Sequence, residues 1–549
     1  MAGSSAESVE IQARGSVDDN LDVLDYMDDD PLDSSESSLL PESNQPESDE
    51  QIVSTVYLIC LTISTGGLQV IWTAIMSQGS PYLSSLDVPA YLISLVWLAG
   101  PLSGALVQPY VGILSDRCQH ALGRRRPFII FGTIATIICI LALPWTTDLI
   151  SFLFTIYQGE PEGKAAMICK GMMAAVWIWA LNIAIQPVQG GLRAIIVDCA
   201  PKSQQVKACA YASIAAGIGS ILGYTAGYVS LPKYVPWLGN TQLKGLCFVA
   251  SVALGSTVAM TCLTVEEKRY VDLEGNLKRK SFLATFSQIY RSIRTVPRRI
   301  KQICVVQFFA WLGWFPFLFY VTTARYLGDI YQSEHQPISK KTTTFFFPNP
   351  TPLPPSPHSI RHATFIMILF ATVSLLTNLT LPHLTESVSA SSTKTKPRSR
   401  FRIPGLTLPL TWTLSHILSS ILIFCTLISS SFLPTSILVS LLGISWAVTQ
   451  WIPLALINLE IANSQSATAS KSRQRTRNAP DGEELQAGTI LGLYNISIAT
   501  PQIVAAVQGS AVFWMLGRVG VMGGEAMGWV IRLGSLAALV AAVGCERLL

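Results

Sequence analysis

The stretch LNIAIQPVQGGLRAIIVD, residues 181–198, decides how the chain is read. It is apolar enough to be buried, yet it carries Asn182, Gln186, Gln189 and Arg193. Offsets of 0, 4, 7 and 11 place all four within about 60° of one another on a helix of 3.6 residues per turn. At 1.5 Å per residue the polar stripe is roughly 16 Å long. Its meaning depends on the solvent around the helix, and composition settles that.

The chain has 549 residues, 50% of them hydrophobic and only 13% charged, against roughly 25% charged in soluble domains. Its mean hydropathy is positive. A helix needs about 20 apolar residues to cross hydrocarbon. Twelve such runs are read, over 53–75, 91–113, 127–147, 171–197, 208–230, 244–265, 302–323, 362–382, 406–429, 434–460, 486–509 and 526–545. The expected fold class is an all-α integral membrane protein of twelve transmembrane helices.

A signal peptide is not expected, because the first apolar run follows an acidic, Ser-rich stretch without a basic n-region. Residues 1–50 hold fifteen acidic residues against Arg14 alone, the composition of a disordered tail. The tail is read as solubilising, or as a segment phosphorylated on its serines or bound by a partner. Basic residues set the orientation, since cytoplasmic loops are enriched in Lys and Arg. They cluster after even-numbered spans: Arg117 and Arg124 to Arg126, the 266–301 segment, Lys394 to Arg402, and Lys471 to Arg477. Both termini are therefore expected in the cytoplasm.

The basic 266–301 linker separates an N-terminal half, 51–265, from a C-terminal half, 302–549, with six spans each. An irregular extracytoplasmic loop is expected over 331–361 and cytoplasmic loops over 383–405 and 461–485. GGLQVIW in span one echoes AWLGWFPF in span seven, and span four echoes SWAVTQWIPLALINLE in span ten. Two six-helix halves around a central path are the architecture of a secondary transporter, with its site near the bilayer midplane.

An arginine in hydrocarbon is costly, so Arg193 is expected to face a cavity or the bundle interior. The alternatives are a structural ion pair between Arg193 and Asp198, and amides serving as glue between helices. Pro187 and Gly190–Gly191 free backbone groups in the same helix, which suits a cavity. A second stretch, GPLSGALVQPYVGILSDRCQHALGRRRPFIIFG at 100–132, sets Asp116 opposite Arg124, Arg125 and Arg126. Charge-assisted hydrogen bonds there would form in one arrangement of the halves and break in another, a gate latch. Positive charge could instead serve only to anchor the topology.

The eleven cysteines show no CxxC pair and no zinc spacing, so no metal site is expected. Asn378-Leu-Thr380 and Asn495-Ile-Ser497 fit the glycosylation sequon but fall inside spans. No Gly-rich phosphate loop or nucleophile elbow points to an enzyme, and the two-half organisation with its latch argues against a channel.

Gly112-x-x-x-Asp116-Arg117 with GRRR at 123–126 resembles the loop motif of the major facilitator superfamily. VWLAGP, VQPYVG, GRRRPFI, SPYL, VQGGLRAIIVD, GSILGYTAGY, WLGWFPFLFY, GISWAVTQWIP and LGLYNISIATPQ resemble the sucrose transporter family of plants and fungi. The resemblance covers about 53 to 510. It implies a proton-coupled symporter for sucrose or related α-glucosides such as maltose, in the plasma membrane, working by alternating access. The partners expected are a sugar, protons and the lipid bilayer, with no cofactor beyond the proton and no nucleic acid; the sequence leaves the oligomeric state open, with a monomer as the default. The family's intramembrane arginine falls on Arg193. The aspartate that plant relatives place eleven residues earlier falls on Asn182, which cannot titrate, and the first-span Gln or Glu position falls on Ile75. Asp198 and Glu460 are the remaining candidates for a coupling carboxylate.

A sugar needs amides and hydroxyls for hydrogen bonds and aromatic faces for its C–H surfaces. Gln69, Trp72, Asn182, Gln186, Gln189, Arg193, Trp311, Trp314, Gln450, Asn495 and Gln502 are the candidates, although tryptophans also anchor helices at membrane interfaces. An uncoupled facilitator, a transporter-like sugar sensor and a carrier of another solute stay open beside the symporter.

Overall fold

The computed structural model describes residues 52–267, 293–322, 357–385, 402–429, 431–474, 487–521 and 523–548. These are almost wholly helical, with no strand among them. Hydrocarbon offers backbone N–H and C=O groups no partner, so each crossing segment must satisfy its own. The passages are α1 (Thr55–Ser85, broken at Ile63), α2 (Ala90–Trp97 and Ala99–Asp116), α3 (Arg126–Ile156), α4 (Lys164–Cys199), α5 (Gln205–Tyr228) and α6 (Gln242–Thr264). They continue as α7 (Arg298–Thr322), α8 (Pro357–Leu384), α9 (Leu408–Cys425), α10 (Phe432–Gln474), α11 (Ala487–Arg518) and α12 (Gly523–Glu546).

Among the described residues, eleven helices are long and apolar enough to cross a membrane. The twelfth passage, α2, is split at Leu98 and carries Ser103, Gln108 and Pro109, all buried in protein. That polar content suits a helix packed inside the bundle. Several passages outrun the expected spans: α1 continues to Ser85, α4 starts at Lys164, and α10 runs to Gln474. The last makes helix of 461–474, where a loop was expected. A helix that continues past the hydrocarbon keeps its hydrogen bonding but loses the hydropathy that marks it in sequence. Likewise α7 begins within the expected 266–301 linker and α8 within the expected 331–361 loop. Residues 1–51, 268–292, 323–356, 386–401 and 475–486 lie outside the described residues.

Two apolar cores form. One draws only on residues 58–265, and the other mainly on 296–548 with Ile113, Ala194, Val197, Cys209 and Tyr224 joining from the first half. Between the halves α2 packs on α11, and α5 on both α8 and α10. The outward surface is apolar, with Phe131, Ile138, Met172, Val176, Leu222 and Ile421 all exposed. Asn378 and Asn495 are buried within α8 and α11, consistent with discounting both sequons.

Small residues set how closely the helices approach, as expected where lipid removes the hydrophobic drive for association. Gly66 on α1 faces α5 so closely that a Cβ there would stand 2.7 Å from the Ala215 carbonyl oxygen, and a Cβ on Gly219 would strike the carbonyl of Gly66. Gly313 and Gly534 repeat the arrangement between α7 and α12. Gly219→Val is therefore expected to destabilise the protein by about 1–3 kcal/mol through overpacking. A lowered thermal midpoint of the purified protein in detergent would bear this out; an unchanged midpoint would contradict the packing.

Candidate functional site

The α4 stripe faces inward. Asn182, Gln186, Gln189 and Arg193 all line one central cavity of about 290 Å³, shared by α1, α2, α4 and α5 of the first half and α7, α8, α10 and α11 of the second. The other four helices stay outside it. Of the remaining candidates, Gln69, Trp72, Trp311, Gln450, Asn495 and Gln502 also line it. Trp314 does not: it is buried among Phe317 and Trp446 in the second core, so it supports the wall from behind.

One wall is polar. Trp72 donates its indole N–H to Gln189 Oε1 at 3.2 Å, and Gln189 Nε2 donates to Gln108 Oε1 at 3.4 Å. Gln186 Nε2 donates to Ser103 Oγ at 3.1 Å, while its Oε1 has no protein partner. Asn182 turns its Nδ2 to the Ile178 carbonyl at 2.8 Å, a bond within its own helix. The facing wall is aromatic, built by Trp311, Phe315, Phe370 and Trp446, with the Trp311 and Trp446 rings edge to face at 5.8 Å. The indole N–H of Trp311 and the side-chain oxygens of Asn378 and Ser213, also on the lining, lack protein partners. Amides opposite ring faces form an amphipathic slot in the size class of ligand pockets, whose lower end is about 300 Å³.

Arg193 donates from Nη1 to Asn495 Oδ1 at 3.0 Å, and its Cζ lies 5.9 Å from the centre of the Tyr494 ring. Asn495 Nδ2 donates to the Gly104 carbonyl at 2.7 Å, so one amide ties α11 to both α4 and α2. The alternative pairing of Arg193 with Asp198 is not made, because Asp198 is held by two other arginines. Arg124 Nη2 lies 2.6 Å from Asp198 Oδ1, and Arg125 Nε lies 2.8 Å from Oδ2.

The charge contact expected at Asp116 forms around Arg125, whose side chain is wholly buried. Its Nη2 lies 2.5 Å from Asp116 Oδ1, and its Nη1 donates to Ser115 Oγ. Asp116 then accepts from the backbone of Gly488 at 3.0 Å and of Thr489 at 2.9 Å, and from the Thr489 hydroxyl at 3.1 Å. These are first-turn amides of α11, where the helix dipole favours a carboxylate. Close approach depends on glycine, since a Cβ on Gly112 would stand 2.5 Å from the Gly488 carbonyl oxygen. The three arginines thus take different parts: Arg125 bridges Asp116 and Asp198, Arg124 adds a second hold on Asp198, and Arg126 supplies a backbone N–H to Glu267.

Glu267, beyond the end of α6, caps α3 by accepting from the Arg125 backbone at 2.7 Å. Burial pushes its carboxyl pKa up, against the pull of the two amide donors. It sits over Gly123, whose φ of +104° only glycine adopts freely. The sequence reading missed Glu267, Ser103, Gln108 and Trp446. Ser103 and Gln108 had a signal, for a serine and an amide in an apolar run need an internal partner. A second contact near the Asp198 end of the bundle joins Asn458 Nδ2 on α10 to Gln205 Oε1 on α5 at 3.3 Å. Glu460 is half-buried on α10 and is not part of the cavity lining.

Comparison with known proteins shows the family. Residues 63–188 match the family described as MFS/sugar transport protein. A general alpha-glucoside permease of Schizosaccharomyces pombe is 30% identical over 90% of this chain and 94% of its own length. Sucrose transport protein SUT5 of Oryza sativa subsp. indica is 31% identical over 53% of this chain and 55% of its own. Among solved structures, the proton:xylose symporter XylE aligns with a TM-score of 0.54 at 10% identity, over 90% of this chain and 95% of that one. A bacterial homologue of ferroportin in an outward-facing state aligns at 0.53 and 12%, over 90% and 98%. The chain belongs to the sucrose/α-glucoside transporter family of the major facilitator superfamily, and it is a membrane transporter, not an enzyme.

Removing one partner of a buried ion pair costs about 3–5 kcal/mol, so Asp116→Ala should release the latched end. Ala487, buried at the start of α11, provides the reporter. In an Ala487→Cys background, maleimide labelling at that position is expected to accelerate at least tenfold on adding Asp116→Ala. Equal rates would mean that Asp116 does not hold this end closed.

Proposed function

We propose that the chain carries an α-glucoside such as maltose or sucrose across the plasma membrane by alternating access, the two halves exposing the central cavity to either side in turn. The observation that carries this reading is the cavity itself, with partner-seeking amides on one wall and edge-to-face rings on the other. A disaccharide presents hydroxyls at its edges and C–H groups on its faces, and the two walls match both. Gln186, Gln189 and Gln450 would take hydroxyls, while Trp311 and Trp446 would take a pyranose face. The relative named an alpha-glucoside permease supports the substrate class.

The latch supplies the second element of alternating access. Asp116 on α2 is bound by α11 of the other half, so parting the halves at that end must break it. Positive charge near this end favours placing it, with both termini, on the cytoplasmic side.

Coupling divides two readings. The described residues lining the cavity include no Asp or Glu, and Asn182 cannot exchange a proton. This favours downhill carriage driven by the sugar gradient. Proton symport would have to run through a carboxylate outside the cavity, and Asp198, which holds Arg124 and Arg125 beside the latch, is the group placed to link protonation to gate opening.

The test is uptake of labelled maltose and sucrose by yeast lacking its own disaccharide carriers, with surface expression verified. Saturable uptake that a protonophore leaves unchanged is expected, and Gln189→Leu or Trp446→Ala should each lower it about tenfold, equivalent to about 1.4 kcal/mol. Uptake abolished by the protonophore would shift the reading to symport through Asp198, and no uptake of either sugar would refute the disaccharide assignment.

A further inference from the structure

Among the described residues lining the cavity, none sets an opposite charge against Arg193. Among the described residues lining the cavity there is no Asp, Glu, Lys or His, so the guanidinium is its one permanent charge. Asp198, five residues on in the same helix, is committed to Arg124 and Arg125, and Asp116 to Arg125 and the first turn of α11. What Arg193 does have is neutral, namely Asn495 Oδ1 at 3.0 Å and the Tyr494 ring. Asn495 cannot move closer or offer more, because its Nδ2 is fixed to the Gly104 carbonyl.

A guanidinium presents five N–H donors in a planar fork. A charge held away from bulk water and away from any counter-charge is disfavoured until an anion joins it. The side chain is half-buried and lines the cavity, which puts the remaining donors within reach of whatever fills that space. On the same wall, Gln189 and Gln108 hold each other in place one turn away.

We propose that the cavity seats a monovalent anionic group against Arg193, beside the neutral hydrogen bonds that take sugar hydroxyls. The group is either the carboxylate of an acidic glycoside or a free inorganic anion that enters with a neutral sugar. A carboxylate would match the fork with two parallel hydrogen bonds, and a halide would accept from several N–H groups at once. This inference rests on the cavity being the sugar site, as proposed above.

The experiment uses purified full-length protein and equilibrium binding of labelled maltose. In one arm sodium chloride replaces sodium HEPES at equal ionic strength. In the other, maltobionate, which is maltose oxidised to a carboxylate at its reducing end, competes with the labelled sugar. A free anion raises maltose affinity at least tenfold in chloride; a substrate carboxylate lets maltobionate displace maltose at one tenth the concentration that unlabelled maltose needs. Either effect should vanish in Arg193→Gln and persist, weakened, in Arg193→Lys, which keeps the charge and guards against a folding defect in the first variant. Equal affinity in both salts, with maltobionate no better than maltose, would overturn the proposal, as would an anion effect that survives Arg193→Gln. Saturable binding of radiolabelled chloride that depends on Arg193, in protein that binds no maltose, would uphold the anion site while the sugar reading falls.

Discussion

Hydrocarbon cannot accept or donate a hydrogen bond, and every other feature of this protein follows from that constraint. Polar side chains that a soluble protein would turn outward are here turned into the bundle. Asn182, Gln186, Gln108, Asn378, Asn458 and Asn495 are all nearly inaccessible, while Phe131, Met172 and Leu222 face out. Once the amides and Arg193 are driven inside, they need room and partners. The cavity between the halves supplies the room, and the helices that border it supply part of the partners.

The cavity and the latch are built on the same helix pair. Asp116 meets Gly488 and Thr489 at one end of the α2 and α11 contact, and Asn495 reaches Gly104 and Arg193 further along it. Between them a Cβ on Gly492 would stand 2.7 Å from Pro109 Cα, so the two backbones nearly touch throughout. Packing this close does not stretch gradually; it holds or it lets go.

Much of this was legible in the residues. Hydropathy counted the passages, and the offsets of Asn182, Gln186, Gln189 and Arg193 placed four side chains on the wall that the structure gives them. Asp116 and the arginine cluster announced an ion pair, which the structure forms through Arg125. What could not be read was which arginine does what. Arg125 holds Asp116 where the turn at Gly123 and the Glu267 cap set the start of α3, and the Glu267 contact joins residues 142 apart in the sequence. Trp311 and Trp314 look alike in the sequence, yet only the first lines the cavity, because the rotation of α7 is set by its packing on α11 and α12.

The sequence alone determined that this is a helical membrane protein, that its fourth passage has a polar face, and that a carboxylate and an arginine cluster follow the second. Those properties are local, for they depend on side-chain transfer free energies and helical periodicity, which a short window contains. Tertiary structure alone decided that Asp198 pairs with Arg124 and Arg125 and not with Arg193. It also decided that α11 meets Asp116 through its first-turn amides, and that Arg193 is left facing a cavity lined without a carboxylate among the described residues. Each of these is a contact between helices far apart in the chain, and its geometry exists only once glycine and proline have set how closely those helices approach.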